Sequence, residues 1–132
     1  MEREHVVLPR AALPAGVTRL PFSDAVRAGE TLYVSGRLGL DPRTARPPED
    51  VSEEARFLMD DLRAVLAAAG MTTAELVMVT VFAPDVAHFA AFNAVYVRYF
   101  EGPLPARAFI GSGPLLFGCR FELTAIAVRG TT

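Results

Sequence analysis

Residues 120–128 have the sequence RFELTAIAV, which is the clearest indication of fold class in the chain. Apolar residues alternate along it with the two-residue period of a β-strand. One face carries Phe121, Leu123, Ala125 and Ala127, and the other carries Arg120, Glu122, Thr124, Ile126 and Val128. Because the second face also ends in apolar residues, the pattern predicts a strand whose sheet is covered on both sides.

The segments before this strand complete an α+β pattern. Further strands are predicted at Thr31–Ser35, Leu76–Phe82 and Pro105–Gly111, with a strand pair or an irregular edge in Val17–Arg27. Helical spacing occurs in 55–69, where Asp50 or Ser52 can cap the start and Gly70 follows the end. A second helix is predicted in 89–100, with Asp85 as N-cap and Gly102-Pro103 after its end. The proline-rich stretch 41–50 is a loop.

This order of elements predicts a single domain over residues 1–132, with two helices on one face of one mixed sheet. Two helices shield only one side of a sheet. Leu76–Phe82 is apolar on both sides, as is the end of the last strand. The uncovered face therefore predicts a homo-oligomer.

Composition excludes several classes of function. The net charge is −2, so no basic surplus suggests nucleic-acid binding. All 13 basic residues are arginine, which excludes a Schiff-base lysine and a P-loop lysine. One cysteine, Cys119, and two distant histidines predict no disulfide and no metal site. No apolar run reaches transmembrane length, so a cytoplasmic protein without a membrane partner is expected.

Two charged residues on apolar strands are candidates for chemistry. Arg107 presents a planar fork that matches a carboxylate, although a structural ion pair or a surface position explains it as well. Glu122 could activate a water as general base, or could form a salt bridge with Arg120 or Arg37. Arg107 and Glu122 could also pair with each other.

Three further positions could line a binding site. Ser35-Gly36 is expected to end a strand. The glycine would permit close approach of the backbone to a ligand and the serine could donate a hydrogen bond, although a simple turn explains the pair as well. Asn93 could offer its amide to a ligand or lie on the polar flank of its helix. Cys119 is expected to be inert.

Several motifs occur in a family-specific order through nearly the whole chain. They are 32–36, the helix end 66–71, Val79–Phe82, Pro105-Ala106-Arg107 and the closing strand 121–128. By these motifs the chain resembles the Rid family, also known as YjgF or endoribonuclease L-PSP. The resemblance implies a chorismate-mutase-like fold and a homotrimer whose sheets pack into a barrel, with three ligand clefts between subunits.

The resemblance also implies an activity. Active Rid proteins hydrolyse reactive 2-imino or enamine acids, such as 2-iminobutanoate and 2-iminopropanoate, to 2-keto acids and ammonia. Arg107 would clamp the substrate carboxylate and Glu122 would position or activate the water, while Ser35, Gly36 and Asn93 would line the cleft. The imine carbon is already electrophilic, so no cofactor or metal is expected.

Two departures from the family pattern concern the substrate. Phe22 stands where well-studied members have a tyrosine, so a phenolic hydroxyl is lost. Phe109 stands where the family often has a cysteine, and its ring is expected to shrink the pocket and disfavour bulky imino acids unless it turns away. A non-catalytic trimer that binds a keto acid is the alternative function, and a ribonuclease fits the low basic charge less well.

Overall fold

A computed structural model describes residues 2–130, in which six strands form one sheet beside two helices. The strands are β1 (Arg3–Val6), β2 (Ala25–Ala28), β3 (Thr31–Leu38), β4 (Leu76–Ala83), β5 (Ala106–Gly111) and β6 (Glu122–Val128). The helices are α1 (Val51–Ala68) and α2 (Phe89–Tyr96). A single domain over 1–132 stays a prediction, and Met1, Thr131 and Thr132 of that range lie outside the described residues.

The sheet is mixed, with strand order β1-β2-β3-β6-β4-β5. Neighbouring strands are antiparallel except for β4 and β5, which are parallel because α2 forms the crossover between them. β6 pairs with β3 on one side and with β4 on the other. Residues 122–128 of the stretch that predicted the fold thus form a central strand, whose Leu123, Ala125 and Ala127 face is buried.

The helix α1 covers one face of the sheet because its apolar stripe is buried there. Asp50 caps the helix by accepting a hydrogen bond from the Ser52 amide at 2.8 Å. Gly70 follows the helix with φ +74°, a conformation that favours glycine. The buried face consists of Glu54, Ala55, Leu58, Met59, Leu62, Val65 and Leu66, which agrees with the predicted periodicity.

Several predicted boundaries were wrong. β3 continues to Leu38 instead of ending at Ser35-Gly36, because a β-bulge lets it resume pairing with β6. The helix predicted from Phe89 to Phe100 ends at Tyr96 and continues as a 3₁₀ turn, Val97–Tyr99. Within 17–27 only β2 is a strand, and its partner β1 was not predicted because its residues are mostly charged and exposed.

Candidate active site

The seven predicted site residues lie in two places. Arg107 and Phe109 are on β5 and contact α2, which carries Asn93. Phe22, Ser35, Gly36 and Glu122 line a cavity at the end of the sheet where β3 stops and β6 starts. We call these the Arg107 cluster and the Glu122 cavity.

Arg107 is half-buried among aromatic rings. Its guanidinium carbon lies 4.8 Å from the ring centre of Tyr96 and 5.7 Å from that of Phe89. Such contacts stabilise a cation by attraction to the ring face. Within residues 2–130 no carboxylate lies within salt-bridge distance of it, in contrast to the structural ion pair that the sequence left open. Its hydrogen-bonding fork is therefore available to an anion.

The helix α2 places two polar groups in the Arg107 cluster. The Asn93 side-chain oxygen and the Tyr96 hydroxyl are both buried, and neither has a hydrogen-bond partner within the described range 2–130. Burial raises the pKa of Tyr96 to about 12, against the opposing charge of Arg107. Tyr96 falls within the predicted helix 89–100, but no sequence signal marks its hydroxyl as part of a site.

Phe109 belongs to the Arg107 cluster and does not line the Glu122 cavity. Its ring makes an edge contact with Phe89 at 5.0 Å between centroids and a tilted contact with Phe92 at 5.9 Å. The ring is held against α2 by these contacts. In this chain it therefore takes no volume from the cavity beside Glu122.

Glu122 begins β6 and lies opposite Phe82 and Leu38 in the neighbouring strands. It is half-buried, and no described residue forms a hydrogen bond or salt bridge with its carboxylate. The two salt-bridge partners considered from sequence are engaged elsewhere. Arg120 binds Glu54 at 2.7 Å, and Arg37 binds Asp24 at 2.9 Å. The carboxylate is thus free to accept a proton or a hydrogen bond.

The β-bulge in β3 shapes the wall next to Glu122. Ser35 and Gly36 fall between the paired positions Val34 and Arg37. A Cβ at position 36 would overlap a carboxylate oxygen of Glu122, so a larger residue here would displace that flexible side chain from its position beside the bulge. The close approach expected at Gly36 is therefore made by Glu122 in this chain. The Ser35 hydroxyl donates to the Ser23 carbonyl at 2.6 Å, so its proton is not free for a ligand.

A buried ion network supports the same wall and was not predicted. Arg37 and Asp24 are 4% and 1% exposed, and Arg37 also binds Asp61 of α1 at 2.6 Å. Asp24 in turn accepts the Leu8 amide at 2.8 Å and the Arg10 guanidinium. Burial alone would raise the pKa of Asp24, but these donors hold it at about 2. The pairing joins residues far apart in sequence, so no local pattern reveals it.

The Glu122 cavity has a volume of about 990 Å³ and a mostly apolar wall. Phe22 forms part of this wall and is 48% exposed. Phe57 of α1 and the loop residues Leu116 and Phe117 form other parts. The cavity thus combines a carboxylate at one position with apolar surface around it, as small-molecule sites do.

Arg107 and Glu122 lie on opposite faces of the sheet. Arg107 is paired with Val79, which is buried beneath the helices. Glu122 is paired with Phe82, three residues further along β4, which belongs to the other face of the sheet. β4 separates their two strands. A pair within one chain, which the sequence left open, is therefore excluded by the geometry.

Other candidate groups contribute neither to the Arg107 cluster nor to the Glu122 cavity. Cys119 is buried, which raises its pKa to about 12 and keeps the thiol protonated at neutral pH. Among residues 2–130 no three His, Cys, Asp or Glu side chains are grouped as a metal site requires. None of the helices described is long and apolar enough to span a bilayer.

Comparison with known proteins finds relatives of this chain both in sequence and in solved structure. The endoribonuclease L-PSP family model matches residues 14–129. The mouse 2-iminobutanoate/2-iminopropanoate deaminase is 39% identical over 125 residues, which cover 94% of this chain and 91% of the mouse protein. RidA from an Antarctic Psychrobacter superimposes with a TM-score of 0.83 at 31% identity, covering 96% of this chain and 100% of that one.

A further solved relative carries a ligand. The structure of E. coli TdcF with bound serine superimposes with a TM-score of 0.85 at 28% identity, covering 96% of this chain and 100% of TdcF. These similarities confirm the predicted α+β, chorismate-mutase-like fold. The match of sequence, fold and length shows that the chain belongs to the endoribonuclease L-PSP family, which is the Rid (YjgF) family.

Proposed function

We propose that this protein is a hydrolytic deaminase that converts reactive 2-imino or enamine acids to 2-keto acids and ammonia. The mouse relative is named for this activity on 2-iminobutanoate and 2-iminopropanoate. The observation that carries the proposal is the Arg107 guanidinium, which is half-buried among aromatic rings and has no carboxylate partner in the described chain. A substrate carboxylate supplies the missing partner.

The hydrolysis needs one proton acceptor near the imine carbon. The water oxygen bonds to C2 as the C=N π electrons move to nitrogen, Glu122 accepts one water proton, and the nitrogen takes a proton from solvent to give a tetrahedral carbinolamine. Glu122 then returns its proton to the amino nitrogen, the C–N bond breaks as ammonia leaves, and the hydroxyl loses its proton to solvent as the keto carbonyl forms. Glu122 suits this role because its carboxylate is half-buried and bound to no cation within 2–130.

The site is assembled between copies of the chain. Arg107 and Glu122 lie on opposite faces of one sheet, so the same chain cannot present both to one small molecule. A neighbouring copy packed on the open sheet face can bring its Arg107 cluster to the Glu122 cavity. We therefore propose a homotrimer with a ligand cleft at each interface, with no cofactor or metal in the reaction.

Arg107→Ala tests the proposal. A hydrogen bond to a charged group contributes about 1.5–3 kcal/mol and the fork makes two, so kcat/KM for 2-iminopropanoate should fall about 100-fold or more. The assay follows keto-acid release from imine generated in place. Arg98→Ala, at an exposed position after α2, is the matched control and should retain the wild-type rate. Equal rates for wild type and Arg107→Ala would contradict the role of Arg107.

Glu122→Gln separates catalysis from binding. The variant keeps the shape of the side chain but cannot accept the water proton. A deaminase should lose turnover and still bind pyruvate, as measured by calorimetry. If wild-type protein binds pyruvate but accelerates no imine hydrolysis, the alternative of a non-catalytic keto-acid-binding trimer is correct.

A further inference from the structure

We propose that Phe109 is a positioning residue for Arg107. Its ring completes a cage of four aromatic rings that holds the guanidinium in place for the carboxylate of a 2-imino acid. The inference rests on the proposed function and assigns a residue to its carboxylate-binding step. Phe109 then acts on the substrate through Arg107 and not as a wall of the pocket.

The aromatic cage surrounds the charged end of Arg107. A cation is attracted to the face of an aromatic ring whose centre lies within about 6 Å, and significant contacts of this kind occur only about once per 70–80 residues. Arg107 alone makes four of them, so its surroundings are unusual. Its guanidinium carbon lies 4.8 Å from the ring centre of Tyr96, 5.7 Å from those of Phe89 and Phe109, and 5.9 Å from that of Phe92.

Phe109 contributes the part of the cage that comes from the sheet. Arg107 and Phe109 are two residues apart on β5, so their side chains lie on the same face, and their partners in β4 are both buried. The other three rings come from α2. Phe109 joins the two elements through an edge contact with Phe89 at 5.0 Å and a tilted contact with Phe92 at 5.9 Å. Loss of its ring would therefore open the cage on the side of the sheet.

The cage matters for binding because an arginine side chain is flexible. Binding a carboxylate through two parallel hydrogen bonds requires a fixed orientation of the guanidinium plane, and an unrestrained arginine loses rotamer freedom when it adopts one. Within residues 2–130 no carboxylate within salt-bridge distance orients Arg107. The rings restrain it instead, and they leave its N–H groups available because a ring face accepts only weak hydrogen bonds. They also reduce its contact with water, which strengthens a charge-assisted hydrogen bond.

The cage belongs to a single chain and does not depend on assembly. Arg107 and all four rings are contributed by the same copy. Phe92 and Tyr96 are 0% and 4% exposed, because their own chain covers them. Each copy of a trimer therefore carries a complete cage and presents a restrained Arg107 to the Glu122 cavity of its neighbour.

Phe109→Leu tests the inference. Leucine keeps an apolar side chain but has no aromatic face, so the guanidinium loses one attraction and part of its restraint. The dissociation constant for pyruvate, measured by calorimetry, should rise about five-fold, which corresponds to about 1 kcal/mol. KM for 2-iminopropanoate should rise by a similar factor while kcat stays within about two-fold, because Arg107 holds the carboxylate equally in the ground state and in the transition state.

Two further variants separate positioning from folding. Phe109→Tyr retains the aromatic face and should keep the dissociation constant within about two-fold of the wild-type value. Phe100→Leu is the matched control and should leave the dissociation constant unchanged, because Phe100 contacts the Tyr96 ring at 4.9 Å from outside the cage. A loss of folded protein would lower the number of binding sites per chain and the apparent kcat, but would change neither the dissociation constant nor KM.

The outcomes distinguish the inference from the proposed function. A rise in the dissociation constant with Phe109→Leu, but not with Phe109→Tyr or Phe100→Leu, would support the inference. Wild-type protein that neither binds pyruvate nor hydrolyses 2-iminopropanoate would overturn the proposed function and the inference with it. Wild-type binding and hydrolysis, with an unchanged dissociation constant in Phe109→Leu, would overturn the inference and leave the function intact. An equal rise in Phe109→Leu and Phe109→Tyr would also overturn the inference, since the aromatic face would then not be the feature that Arg107 requires.

Discussion

Two tyrosines near the end of α2 have hydroxyl groups in opposite situations. The Tyr96 hydroxyl is buried without a hydrogen-bond partner in the described part of the chain. The Tyr99 hydroxyl donates to Asp60 at 2.6 Å. A buried polar group without a partner costs about 1–3 kcal/mol, while a bond to a charged group stabilises the fold. The same substitution should therefore have opposite effects at the two positions.

Tyr96→Phe should raise the free energy of unfolding by about 1 kcal/mol, and Tyr99→Phe should lower it by about as much. Urea unfolding of the two variants beside the wild type measures both changes. Each variant is the control for the other, since both lose one hydroxyl from a tyrosine. A loss of stability in Tyr96→Phe would show that its hydroxyl has a partner in solution.

At the residue scale, sequence indicated which face a side chain occupies but not what it contacts. Alternation in 120–128 placed Glu122 opposite Phe121 and Leu123, and the buried positions of β6 agree. Alternation carries no information on partners from distant segments. The hydrogen bond of Ser35 to Ser23 depends on how the loop before β2 packs on β3. The hydrogen bond of Arg37 to Asp61 depends on how α1 packs on the same strand.

At the scale of elements, Asp24 links four segments of the chain. Its carboxylate accepts hydrogen bonds from Leu8 and Arg10, in the segment that follows β1, and from Arg37 of β3. Arg37 also donates a hydrogen bond to Asp61 of α1. Its pKa is about 2, compared with an ordinary value of 3.8. Since the pKa is lowered in the folded protein, the stabilisation is complete above pH 3.8 and is lost as pH falls toward 2.

This difference in pKa corresponds to about 2 kcal/mol of stability. Wild-type protein should lose that amount between about pH 4 and pH 2, as measured by urea unfolding across this range. Asp24→Asn should be less stable at pH 7, because Arg37 stays buried with one partner fewer, and should lack this part of the acid dependence. Parallel pH profiles for the two proteins would argue against the network.

Elements with strong periodicity were predictable, and those determined by neighbours were not. α1 has a continuous apolar stripe and a capping aspartate, so its start and its buried face followed from sequence. β1 has the sequence REHV, whose pattern does not indicate a strand, and it forms only because β2 offers an edge. The bulge in β3 lies where its pairing with β6 shifts register, between Val34 and Arg37, and a local window of sequence does not contain the partner strand.

At the scale of the molecule, the open face of the sheet is the surface that a second copy should cover. Tyr33 and Val128 are 53% and 38% exposed there, and Ile126 lies between Tyr33 and Met78. We expect a homotrimer of about three times the chain mass of 14.2 kDa in light scattering. Ile126→Asp should reduce the measured mass, because it places a charge in the interface. Val97→Asp, at an exposed position after α2, should not, and a wild-type monomer would contradict the trimer.

Assembly of the site between copies leads to a prediction about mixtures of inactive variants. Arg107→Ala and Glu122→Gln each lack one group, but a trimer that contains both variants has interfaces where an intact Arg107 of one chain meets an intact Glu122 of another. When the two proteins are unfolded, mixed in equal amounts and refolded, each interface receives both groups with a probability of about one quarter. The mixture should therefore recover about a quarter of wild-type deaminase activity, while each variant refolded alone stays inactive. If both groups came from the same chain, every site would lack one of them and mixing would restore nothing. We expect recovery of activity, because Arg107 and Glu122 are paired with Val79 and Phe82 of β4, and these two residues lie on opposite faces of the sheet.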